Sequence, residues 1–330
     1  MIFFYDARWI GEHGIGRVAR VLDEALNLKH LDVKGSPSSP LDTLYLWLAT
    51  LKQIPRGAGL FTPGYNAPLF ISRPFVFTIH DLNHIDRKEN ASFLKTIYYS
   101  LIMKRACRNA AAILTVSEFS KKRIVDWAGV SESRVINIGN GVDANYNVNV
   151  EPYKPGFPYL LSVSNRKAHK NEPRILQAFA MANIDSDIRL LFTGKPNEEM
   201  MSIIRSLGIE ERVVFAGRVP EDELPGLYRG AVALVFPSLY EGFGLPVIEA
   251  MSCGTPVLTS NTTSLPEVAG GAALLVDPDS VADIAEGIAS LCNDAALVEK
   301  MTLQGFHQAA KFSWPITAYK VKNALANVSA

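Results

Sequence analysis

Glu241 and Glu249 stand eight residues apart in the stretch EGFGLPVIEA, with two glycines and a proline between them. The preceding run VALVFPS reads as a buried strand, and Pro246 fits the first turn of a helix, where its missing N–H costs nothing. The amides of Phe243, Gly244 and Leu245 would then point outward as a nest for an anion. Two acids at a helix start are also explained by the helix dipole alone, at about 0.3–1 kcal/mol each. The dipole leaves the glycines unexplained. A site that holds phosphates on amides and sugar hydroxyls on carboxylates accounts for acids, glycines and helix start together.

A second group with chemical capacity is SVSNRKAHKNEP, where Arg166, Lys167, His169 and Lys170 crowd one strand-to-helix loop. Like charges repel unless they are solvated or given an anion. A solvated turn is one reading; the position after a strand, before a helix, is where a diphosphate would sit. The third group is GEHGIGR, with Gly11, Gly14 and Gly16 in the order G-x-x-G-x-G rather than the dinucleotide spacing G-x-G-x-x-G. Asp32 follows without a clear strand to present it to a ribose. A nicotinamide dinucleotide loop, a plain strand–helix turn, and a loop whose amides approach phosphate remain as readings.

These loops need a scaffold. The 330 residues suit two domains, and 48% hydrophobic with 20% charged residues is a soluble globular composition. Basic and acidic residues balance at 33 each, so overall charge gives no argument for nucleic acid and any anion site is local. Cys107, Cys253 and Cys292 form no CxxC or Cys/His spacing, which excludes a disulfide framework or zinc knuckle as an expectation and fits a reducing cytoplasm. The opening MIFFYDARWI lacks the basic and small-residue marks of a signal peptide, and no apolar run approaches the roughly 18 residues that would cross a bilayer.

Short apolar runs alternate with amphipathic ones, the pattern of parallel sheets covered by helices. Strands are expected at MIFFYDA, GLFTP, PFVFTIHD, AAILTVS and RVINIGNG, with helices from Gly16 to about Leu28, over SFLKTIYYSLIMKRAC and over EFSKKRIVDWA. The Asn- and Pro-rich ANYNVNVEPYKPGFP reads as a linker. The pattern restarts with YLLSVS, IRLLFTG, RVVFAG, VALVFPS, PVLTS and AALLVDP as strands, separated by helices. Two Rossmann-like α/β domains are expected, with a ligand site on strand-end loops between them: residues 1–150, 151–312, and a last helix in 313–330 crossing back to the first domain.

EGFGLPVIEA resembles the E-x7-E signature of retaining glycosyltransferases of family GT4, and CGTPVLTS…LPEVAGGAALLVDP continues it. GIGR, TIHDL, LTVSEFSKKRI, NGVD, SNRKAHKN and FSW follow the family's order along nearly the whole chain. GIGR and HKN look most like bacterial mannosyl- and rhamnosyltransferases of surface-polysaccharide assembly. The resemblance implies a GT-B fold and a nucleotide-diphosphate sugar donor, with GDP-mannose favoured. It implies no cofactor and no metal.

By the same resemblance, Glu249 would take the ribose hydroxyls and Glu241 the transferred sugar, beside the amides of Phe243, Gly244 and Leu245. Arg166 and Lys170 would bind the diphosphate, although the interval between them is shorter than the family's, leaving Lys167 as an alternative. Gly14 and Gly16 would close over phosphate, the backbone near Arg218 and Val219 would meet the base, and His80 would lie near the reacting sugar. An ordinary strand-end histidine bonded to backbone is the other reading of His80. The acceptor implied is a glycan or lipid-linked sugar, with no nucleic acid partner. FLKTIYYSLIMKRACR could lie on an anionic membrane, or could be a packed helix with a basic edge. Other functions compatible with the fold are a non-catalytic sugar-nucleotide or glycan binder, a sugar-nucleotide epimerase, and an oxidoreductase resting on GEHGIGR alone.

Overall fold

The computed structural model describes residues 1–11, 14–87 and 97–328. The chain divides into two compact units, Met1–Gly141 with Ser313–Ala330, and Val142–Phe312.

In the first unit the strands are β1 (Phe3–Tyr5), β2 (Lys29–His30), β3 (Gly59–Thr62), β4 (Phe75–Thr78), β5 (Ala112–Thr115) and β6 (Val135–Asn137). They form one parallel sheet in the order β2-β1-β3-β4-β5-β6. Apart from the exposed β2, each strand is largely apolar at successive positions because both faces are covered. Phe4, Leu60, Phe75, Phe77 and Ile113 pack to one side with Leu46, Met103, Cys107 and Ile124. Phe3, Tyr5, Phe61, Val76 and Leu114 pack to the other with Val18, Leu22, Trp314, Val321 and Leu325. The helix Trp314–Val328 therefore completes the first unit's second layer, although it is the last element of the chain. Gly141 has no room for a Cβ because the backbone and indole of Trp314 lie against it.

The second unit repeats the plan with β7 (Tyr159–Ser162), β8 (Arg189–Phe192), β9 (Val213–Phe215), β10 (Ala233–Phe236), β11 (Val257–Ser260) and β12 (Leu274–Val276). Its parallel order is β12-β11-β10-β7-β8-β9. Leu160, Leu190, Phe192, Val235 and Leu258 meet Ile175, Leu176, Phe179, Ile284 and Ile288 on one face. Leu161, Leu191 and Leu234, alternating with these, are buried on the other.

Several elements differ from the sequence expectation. The first helix begins at Gly14, ahead of the expected Gly16, and runs to Leu26. The division between units falls at Gly141, short of the expected 150, because the supposed linker packs within the second unit. There Tyr153 N–H donates to the Gly226 carbonyl at 2.9 Å, Arg229 Nε donates to Val148 at 3.2 Å, and the Tyr146 ring meets Tyr228 at 5.9 Å. The helix expected from Ser92 lies partly outside the described residues; Tyr98–Met103 forms a π-helical turn that continues as the helix Lys104–Asn109. Among the described residues no helix is long and apolar enough to cross a membrane.

Candidate functional site

The second unit gathers its reactive groups where β7 and β10 end. From β7 the chain passes through residues 163–171 into the helix Glu172–Met181. Arg166 adopts φ +61°, a conformation that costs a non-glycine residue free energy unless its surroundings fix it. They do so here: the guanidinium pairs with Glu172, Nε donates to the Lys195 carbonyl at 2.8 Å, and a terminal nitrogen donates to Thr193. It also lies 5.5 and 5.6 Å from the Phe192 and Phe215 ring centroids, at the ends of β8 and β9. Arg166 is thus a brace across the sheet end, whereas Lys167 is exposed.

The loop is also fastened to β10. The His169 carbonyl accepts from Leu239 N at 2.7 Å, and Ser238 Oγ lies 2.9 Å from it. Asn171 donates from Nδ2 to Pro237 at 3.0 Å and Pro278 at 2.7 Å. This fixes Lys170, whose ammonium reaches Glu241 Oε1 at 2.6 Å and lies 4.9 Å from the Phe236 ring centroid. Ser238 Oγ donates to the same carboxylate oxygen at 2.6 Å. The basic loop and the first acid of the pair thus meet, although 71 residues separate them.

Beyond Glu241 the backbone turns through Gly244, at φ +101°, into the helix Leu245–Ser252 with Pro246 in its first turn. Only glycine is at ease with that dihedral, and an added Cβ would lie 2.7 Å from Leu265 Cδ2. The turn is tied from below by Ser264 Oγ, whose single proton is shared between the carbonyls of Glu241 at 2.9 Å and Phe243 at 3.0 Å. The first-turn amides of a helix have no partner within the helix, so this start can accept an anion. Glu249, on the same helix, is 3% exposed and accepts from Tyr228 Oη at 2.9 Å. Burial, and then the Glu249 charge, push the Tyr228 phenol well above its ordinary value, so it stays protonated and donates. Val219 lies half-buried in the segment after β9.

The other expected site residues belong to the first unit. His80 follows β4, is 8% exposed, and donates from Nε2 to the Pro63 carbonyl at 2.9 Å; a carbonyl can only accept, so this nitrogen carries the proton. Its ring is 5.8 Å from that of Tyr65. The backbone bond expected of a strand-end histidine is therefore present. Gly14 and Gly16 are in the first turn of a helix, and Gly16 is required by packing: an added Cβ would be 2.5 Å from the Gly11 carbonyl oxygen. Sequence reasoning missed Glu172, Ser238 and Tyr228, the partners of Arg166, Glu241 and Glu249. Glu172 carried a signal, an acid directly after a cluster of cations. The others carried none. Among the described residues no group of three or more His, Cys, Asp or Glu side chains could hold a metal ion.

The family model "Glycosyl transferases group 1" matches residues 147–308, and "Glycosyltransferase Family 4" matches residues 57–146. The O-antigen chain mannosyltransferase B of Escherichia coli is 31% identical over 279 residues, covering 78% of this chain and 73% of that protein. Sucrose-phosphate synthase from Thermosynechococcus elongatus shares the fold with a TM-score of 0.78 at 19% identity, over 99% of this chain and 98% of that one. Anabaena HepE, solved with UDP-glucose, gives a TM-score of 0.76 at 18% identity over 99% of both chains.

Proposed function

Because the chain belongs to the group 1 glycosyltransferases of family 4 and has their GT-B fold, we propose that it moves a hexose, mannose before others, from a nucleotide-diphosphate sugar to a glycan or lipid-linked sugar in surface-polysaccharide assembly. GDP-mannose is the favoured donor; the name of the Escherichia coli relative supports mannose as the sugar. The observation that carries the reading is the meeting of Lys170 and Glu241 beside the glycine turn that opens the helix bearing Glu249.

On this reading the diphosphate lies on Lys170 and on the amides of Phe243, Gly244 and Leu245. As the sugar leaves, negative charge grows on the diphosphate, and fixed donors aimed at that charge lower the barrier without reorganising. No metal is called on for this work. Arg166, held by Glu172, adds positive field from behind the loop. Glu241 faces the transferred sugar's hydroxyls and Glu249 the ribose, with Tyr228 fixing its carboxylate. Departure and attack occur on one face of the sugar, so configuration is retained without a protein nucleophile.

We place the protein in the cytoplasm, with peripheral contact to the inner membrane face. Leu48, Leu51, Phe70 and Leu101 are 47%, 42%, 45% and 64% exposed in the first unit, and Arg105 stacks 5.0 Å from the Phe70 ring centroid. Exposed apolar side chains and a neighbouring cation favour an anionic bilayer; failure to co-sediment with phosphatidylglycerol vesicles at low salt would remove this part.

The test of the main reading is a thermal-shift panel of GDP-, UDP-, dTDP- and ADP-sugars. A ligand at 100 times its dissociation constant adds about 2.7 kcal/mol of stability. Glu249→Ala is expected to weaken donor binding by roughly 1.5–3 kcal/mol, the worth of hydrogen bonds to a charged group. Stabilisation by no nucleotide sugar would overturn the assignment. Stabilisation without donor hydrolysis or transfer to any acceptor would leave a binding protein instead.

A further inference from the structure

The first unit contains a buried polar network that the donor site does not use. Asp6, directly after β1, is fully buried; Asp42, the first residue of the helix Asp42–Gln53, is 2% exposed; Asn66, after β3, is 1% exposed. Arg8 joins the two acids, donating from Nε to Asp6 Oδ1 at 2.8 Å, from Nη2 to Asp6 Oδ2 at 2.7 Å and from Nη1 to Asp42 Oδ1 at 2.7 Å. Asn66 Nδ2 donates to Asp6 Oδ2 at 2.6 Å and to Asp42 Oδ2 at 3.2 Å.

With its amide nitrogen so engaged, Asn66 can turn only its carbonyl outward. That carbonyl accepts the indole N–H of Trp9 at 2.7 Å. The indole lies against Gly64, where an added Cβ would be 2.5 Å from Cε2, and meets the Tyr65 ring edge-on at 6.5 Å and 64°. Hydrogen bond, missing Cβ and aromatic edge leave the ring one orientation, yet Trp9 is only half-buried.

Burying two carboxylates and a guanidinium carries a large desolvation cost, and apolar side chains of similar volume would hold a turn as well. What a satisfied network adds is a single defined geometry. Here the geometry is delivered to a partly exposed indole at the carboxyl ends of β1 and β3, the side on which such sheets bind ligands.

We propose that Trp9 is a stacking platform for a neutral pyranose ring of the acceptor glycan. A hexopyranose presents an apolar C–H face of about the extent of an indole, and the negative π face attracts those slightly positive hydrogens. On the reading above the diphosphate is held by Lys170 and the amides of Phe243, Gly244 and Leu245, whereas an uncharged aromatic face suits a neutral sugar ring. The inference rests on the transferase reading given above.

The test uses the full chain carrying Trp9→Ala, Trp9→Phe or Asn66→Ala, each with its far-ultraviolet circular dichroism and melting temperature recorded. Saturation-transfer NMR with methyl α-hexopyranosides and α-linked mannobiose reports sugar binding without turnover, and transfer kinetics report KM for donor and acceptor separately. Trp9→Ala is expected to raise the acceptor Kd and KM about tenfold, with donor KM held within about twofold. Trp9→Phe recovers most of the loss, and Asn66→Ala, which frees the ring to swivel, gives an intermediate value. Unchanged acceptor binding in Trp9→Ala, a parallel rise in donor KM, no glycoside whose binding depends on Trp9, or loss of nucleoside rather than sugar binding would each overturn the proposal. Trp9-dependent sugar binding without transfer would keep the platform and sink the transferase reading; normal transfer with unaltered acceptor KM would do the reverse.

Discussion

Replacing Lys170 by methionine keeps an apolar stem and removes the ammonium that faces the Phe236 ring and pairs with Glu241. The two side chains are 13% and 14% exposed and their atoms are 2.6 Å apart. A fully exposed pair contributes about 0–1 kcal/mol, whereas orphaning one member of a fully buried pair costs about 3–5 kcal/mol. Ser238 remains to hold the Glu241 carboxylate, so the loss should fall between these limits, at about 2 kcal/mol. Glu241→Gln keeps an acceptor for Lys170 and should cost about 1 kcal/mol. The double variant should lose less than the sum, leaving a coupling of about 1–2 kcal/mol. Differential scanning calorimetry reads this as a fall of about 4–8 °C for Lys170→Met. Salt should change the coupling little, because buried pairs are poorly screened. Additive effects within about 0.5 kcal/mol would refute the pair as the link between the basic loop and the acid.

Two further outcomes follow from the same geometry. Gly244→Ala meets both the left-handed dihedral and Leu265, and is expected to destabilise the second unit by about 1–3 kcal/mol, measured by urea unfolding; an unchanged midpoint would mean the turn relaxes freely. Burial pushes the thiols of Cys107 and Cys253 up to about 12, so the folded state keeps protons that the unfolded chain releases nearer 9. Their contribution is complete below pH 9 and is lost as pH rises towards 12, at up to about 1.4 kcal/mol per pH unit for each thiol. A Cys107→Ala variant should therefore lose stability less steeply over that range than the parent, and equal slopes would contradict the burial argument.

Sequence pattern foretold most of the two sheets because strands covered on both faces must be apolar throughout, and among the described residues eleven of the twelve strands fall on the runs named for them. The exception, β2, is two exposed residues, Lys29 and His30, whose polar side chains do not announce a strand. The helix Asp42–Gln53 was hidden for a different reason. Its apolar residues point both ways, with Leu46 buried while Tyr45, Leu48 and Leu51 are exposed, so no clean stripe appears. At the site, Glu241, Glu249 and the intervening glycines were legible because one short segment carries them. Glu249 with Tyr228, and Arg166 with the Thr193 and Lys195 carbonyls, were not, because tertiary folding alone brings them together.

The return of Trp314–Val328 to the first unit bears on how the protein is made. Trp314, Ala318, Val321, Ala324 and Leu325 supply part of the cover for one face of the first sheet, beside Val18 and Leu22. A ribosome adding about 5–20 residues per second releases the second unit's whole sequence before it delivers that cover. The unit begun first must therefore be finished last, with Phe3, Phe61 and Leu114 waiting for side chains still to be synthesised. A nascent chain stalled before Ser313 should carry a protease-resistant second unit beside an incompletely covered first one.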